Sequence, residues 1–214
     1  MKKKKITKVK NNMKNGSFGR NRVIGEVYYL EFLGHDFVKS AQLLSEENSK
    51  KGGTGEYFSS IMFLASQAVE LLPKSLIAVD ICLKRNNESL EEIRSAIKRK
   101  LSCLGHNLDD IFCEVPELKR ALKITSIKRV NSKNNANFLI DEFRLQIDEP
   151  KEQKQIRIKY LEGARYGMFA KTKDIGGYSM KDIENTVAFL KKLSEETNKF
   201  RADMITEFDN NIKK

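Results

Sequence analysis

The chain has 214 residues, of which 40% are apolar and 32% charged, with a formal net charge of +11. That length buries one substantial core or at most two small ones. Three cysteines (Cys82, Cys103 and Cys113), odd in number and without paired spacing, argue against a disulfide framework and for a reducing, cytoplasmic setting. The absence of tryptophan, the three prolines and the abundance of Leu, Ile, Lys, Glu and Ala favour helices. No run alternates polar and apolar residues for long enough to demand a sheet.

The charge is unevenly placed. Residues 1–22 hold seven lysines, two arginines and no acid, while the other 31 basic residues face 29 acidic ones. The body is therefore nearly balanced, and residues 1–22 read as a disordered basic tail ahead of a single helical-bundle domain over 23–214. Such a tail attracts polyanions without sequence discrimination, or simply solubilises the chain. It lacks the apolar stretch that a secretory signal needs.

Val27–Glu47 is predicted as the first helix, with Leu30, Leu33, Phe37, Ala41 and Leu44 on its buried stripe. Lys50 to Gly55 breaks the pattern. This glycine-rich stretch has neither the preceding strand nor the Gly-Lys-Ser/Thr ending of a phosphate loop, so it reads as a connector. From Glu56 to Lys84 a second helix is apolar on most of its circumference, with Pro73 in its interior predicting a kink. Its length invites a membrane reading, but Glu70, Lys74 and Asp80 interrupt it, so a buried bundle helix is expected instead. Ser89 is predicted to cap a third helix that stops at Gly105. Asn107 caps a fourth, which Pro116 ends or bends.

Leu118–Asn137 is weakly patterned and expected to be largely loop. Phe138–Ile147 is a short helix candidate, and Ile156–Met168 places Ile158, Leu161 and Met168 on one helical face. Ser179, with Asp182 three residues on, caps a long last helix striped by Val187, Leu190, Leu193, Thr197, Phe200 and Met204. At ~1.5 Å per residue that helix outruns a compact bundle, which invites pairing with another subunit.

Four pieces in order, FLASQAVELLPKSLIAV, GHNLDDIF, KYLEGARYG and a terminal amphipathic helix, together resemble HEPN-domain proteins over roughly Val27 to Phe208. The matching positions are Gln67, Glu70, Lys74, Gly105, His106, Leu108, Arg165 and Tyr166; Pro73 departs from the pattern. The resemblance implies an all-α, up-and-down helical bundle with a long C-terminal helix, often a homodimer, in a nucleotide- or RNA-related setting such as toxin–antitoxin or antiviral defence. Ribonuclease members carry an arginine five residues before a histidine. Here Leu30 and Leu101 stand five residues before His35 and His106, so the nuclease does not carry over.

Lys74, His106, Arg165 and Tyr166 are the expected ligand-binding residues, for a nucleotide or RNA, with no cofactor and no metal. Arg165 lies at helical spacing from Ile158 and Leu161, so its guanidinium needs a carboxylate (Glu70 or Asp110) or a ligand phosphate. His106 either bonds neighbouring backbone and fixes the turn or acts as acid or base. Glu70 and Lys74, four residues apart, read as a helix ion pair. Tyr166 stacks a base or fills the bundle. Cys103, His106 and Cys113 lack a fourth ligand and the spacing for zinc. His35 carries no assigned role. Two other functions stay open: a divergent metal-independent ribonuclease using His106 and Arg165, and a helical protein-interaction scaffold.

Overall fold

The computed structural model describes residues 3–53, 55–133, 139–149, 152–161 and 179–212. The chain is mostly helical, but it also contains a three-stranded antiparallel sheet that the all-α expectation omits. In order the elements are α1 (Lys3–Lys50), α2 (Phe58–Lys84), α3 (Leu90–Leu104), α4 (Leu108–Cys113), α5 (Pro116–Ala121), β1 (Ile124–Lys133), β2 (Leu139–Glu149), β3 (Glu152–Leu161) and α6 (Met180–Ile212).

α2 is the enclosed spine. It carries 17 buried residues, among them Ile61, Val69, Leu72, Leu76 and Val79, and packs against α1 and α6. Among the described residues it is the only helix long and apolar enough to cross a membrane, and that apolar stretch is mostly buried inside the protein. The helix runs through Pro73 without interruption.

On α1 the buried line is Val27, Glu31, Gly34, Val38, Ala41 and Asn48, while Leu30, Leu33, Phe37 and Leu44 are only half-buried. The predicted stripe is therefore rotated, because the tightest approach to α2 is made by a small residue. A Cβ on Gly34 would come within 2.8 Å of the Leu72 side chain. The backbone of 3–22, expected as a disordered tail, continues the helix; a helix already nucleated by its packed half extends at little further cost.

The caps follow the sequence. The Ser89 hydroxyl accepts from the Glu92 amide while the Glu92 carboxylate accepts from the Ser89 amide, a complete capping box. Ser179 and Asp182 make the same pair of bonds at the start of α6. Gly105 ends α3 with φ 52°, a left-handed backbone that glycine adopts without strain. Pro116, expected to end or bend α4, opens α5, at a position where its missing amide costs nothing.

The sheet replaces three expectations. Leu118–Asn137 is not mainly loop: α5 and β1 occupy its described part. The described part of the Phe138–Ile147 helix candidate, from Leu139, is not a helix but most of β2, and Ile156–Leu161 belongs to β3. The reason is a short period-two pattern. Phe143, Leu145 and Ile147 on β2 alternate with Arg144 and Gln146, and Ile156 and Ile158 on β3 flank Arg157. Those five apolar residues are buried in the same core as α2 and α6. The strands lie in the order β1-β2-β3, with Arg144 paired to Lys128 on one side and Arg157 on the other.

Candidate functional site

Two pieces of sequence more than 30 residues apart meet at the end of α3. Glu70 and Lys74 sit one turn apart on α2, both buried. The Lys74 ammonium donates to Glu70 Oε1 at 2.7 Å and to the Gly105 carbonyl. That carbonyl lies at the C-terminus of α3, where backbone oxygens lack helical partners and a cation is favoured. The second Glu70 oxygen, Oε2, lies 2.7 Å from His106 Nδ1. A carboxylate only accepts, so Nδ1 carries the proton in this pair. Glu70 is thus shared between a buried ammonium and an imidazole whose side chain is 57% exposed.

Glu70 and Lys74 form the expected ion pair. Lys74 spends its charge on Glu70 and Gly105, so it supports the junction from beneath. His106 is anchored by the Glu70 carboxylate, which leaves more than half of its side chain at the surface. Arg165 and Tyr166 lie outside the described residues. The helical spacing used to orient Arg165 does not hold, since Ile158 and Leu161 stand on β3. Asp110, one proposed partner for Arg165, accepts from the Asn107 side chain at 2.6 Å. Among the described residues no group of three His, Cys, Asp or Glu is placed to hold a metal ion.

A second cluster was missed at the level of sequence. Glu31 on α1 is buried, and Arg201 on α6 donates to its Oε2 at 2.8 Å. His35 bridges the same helices, with Nε2 3.3 Å from Glu31 Oε1 and Nδ1 2.7 Å from the Ser194 hydroxyl. Arg201 also stacks over the Tyr28 ring at 4.9 Å. The available signal was Glu31 itself, which sits four residues from both Val27 and His35 on the buried line of α1 and demands a partner there.

An open cavity of about 860 Å³ lies elsewhere, lined by apolar Leu76, Ile81, Leu118 and Met204 and by charged Arg99 and Glu207. Neither Lys74 nor His106 lines it. No protein-family model, curated protein or solved structure matches the chain.

Proposed function

We propose that the protein is a non-catalytic, HEPN-like helical module that binds a nucleotide or RNA through the surface around His106. The observation that carries this reading is the joining of two separate pattern pieces. Glu70 and Lys74 from the first, themselves paired, meet Gly105 and His106 from the second through two polar contacts. The buried Glu70–Lys74 pair fixes the imidazole, so a phosphate meets a ring that is already oriented. Arg165 and Tyr166 complete the proposed contact set, and the lysine-rich segment 1–22 adds affinity that depends on salt.

Fluorescence anisotropy with single-stranded RNA and with ATP, at about 50 and 300 mM salt, tests the reading. His106→Ala and Arg165→Ala are each expected to weaken binding roughly tenfold. Deletion of 1–22 flattens the salt dependence while leaving the His106 effect in place. Binding that is absent, or indifferent to both substitutions, rejects the proposal.

One observation favours a second reading, a metal-independent ribonuclease. With Nδ1 held on a carboxylate, His106 has the orientation expected of a general base that works through its other nitrogen. Incubation of mixed RNA with the protein and with His106→Ala separates the two readings, since cleavage lost in the variant identifies an enzyme.

A further inference from the structure

The outward face of α1 carries an unusual sequence of exposed side chains. Gly25, Tyr29, Phe32, Asp36, Lys39, Leu43, Glu46 and Lys50 recur at strictly alternating intervals of four and three residues, and all are exposed. That is the heptad spacing of a seam between two helices, and it lies on the side of α1 away from α2. Tyr29 is 65% exposed, Phe32 64% and Leu43 57%, the three most exposed large apolar side chains described in the protein. Asp36 and Lys39, midway along the seam, have no partner among the described residues.

We infer that this face is where a second copy of the chain docks, α1 against α1, antiparallel about a two-fold axis between Phe37 and Val38. The assignment comes from self-complementarity. In an antiparallel pair, the two classes of seam position face one another, and one register matches every residue of this seam. Phe32 then meets the partner's Leu43, Asp36 meets the partner's Lys39, Tyr29 meets the partner's Glu46, and Gly25 leaves room for the partner's Lys50. The two-fold repeats each contact, so two apolar pairs flank two opposite-charge pairs at the centre.

The alternatives are worse. Parallel pairing in register sets Asp36 on Asp36 and Lys39 on Lys39. Sliding the antiparallel pair one heptad in one direction puts Asp36 against Phe32. In the other direction, Asp36 faces Glu46. Only the matched register satisfies both charge and shape. The pairing uses neither His106 nor the end of α6, and it is independent of the ligand proposed above.

Sedimentation velocity on the full chain reads the result directly. Wild type is expected to dimerise at micromolar concentrations. Phe32→Asp should raise the dimer dissociation constant about a hundredfold, because it removes an apolar pair twice and sets its charge beside the partner's apolar Leu43. Asp36→Lys alone, and Lys39→Asp alone, should each raise it roughly tenfold, and the double swap should restore dimerisation. Circular dichroism melts matching wild type confirm that these surface changes leave the fold intact. A wild-type monomer at 100 μM overturns the inference. So does a dimer that ignores Phe32→Asp, or a double swap that fails to recover.

Discussion

Glu70, itself buried, holds the buried Lys74 ammonium on one oxygen and the surface imidazole of His106 on the other. Taking a lysine ammonium out of solvent costs several kcal/mol unless a carboxylate stays beside it. Glu70→Ala should therefore lower stability by on the order of 3 kcal/mol, read by urea unfolding, and should loosen His106 as well. The cysteines make a contrasting case at the same scale. Cys82 is buried, and burial pushes its thiol up to about 11, whereas Cys103 and Cys113 are exposed. Because the thiolate is the reactive form, iodoacetamide at neutral pH should label Cys103 and Cys113 and spare Cys82, which peptide mapping would show.

At the scale of elements, the pairing of α1 with α2 depends on a missing side chain. Leu72 is fully buried, and a methyl group at position 34 would lie 2.8 Å from its side chain, so one of the two must shift. Gly34→Ala should cost about 1–3 kcal/mol despite alanine's better helix propensity, and a melting curve decides between the two effects. The start of α3 gives a pH signature. Hydrogen bonds from the Ser89 hydroxyl and amide hold the Glu92 carboxyl below its ordinary value of 4.5. A depressed carboxyl stabilises the fold fully above that ordinary value, and its contribution fades as pH falls through the lowered one. The melting temperatures of wild type and Glu92→Ala should differ at neutral pH and converge in acid.

These elements were not equally legible. Ser89, Gly105, Asn107 and Ser179 announced their helix ends because capping is local chemistry, settled within four residues. The enclosed α2 was legible too, since few positions on its surface are polar. The strands were not. Phe143–Ile147 alternates for only five residues, and the flanking Leu139-Ile140 and Asp141-Glu142 obscure the period. Their burial is decided by α2 and α6, elements distant in sequence. At the site, the Glu70–Lys74 pair was readable from its spacing. That His106 would join it depended on how α3 ends against α2, which no local pattern encodes. Glu31 and Arg201 are 170 positions apart, and their pairing was equally invisible.

At the scale of the whole molecule, the positive charge is concentrated at one end of the sequence. Removing 1–22 takes away nine positive charges and no negative ones. Retention on a heparin column should fall sharply, while the melting temperature stays close to that of the intact chain, since the described core begins at Val27.

The bridge from α1 to α6 also fixes a direction. Asn48 bonds Met180, His35 meets Ser194 and Arg201 meets Glu31, so the first and last helices run antiparallel along their shared length. The beginning of one and the finish of the other consequently exit through the same pole. Tags fused to either would crowd one side of the protein while leaving the opposite pole, with the Gly52-Gly53 bend, open to solvent.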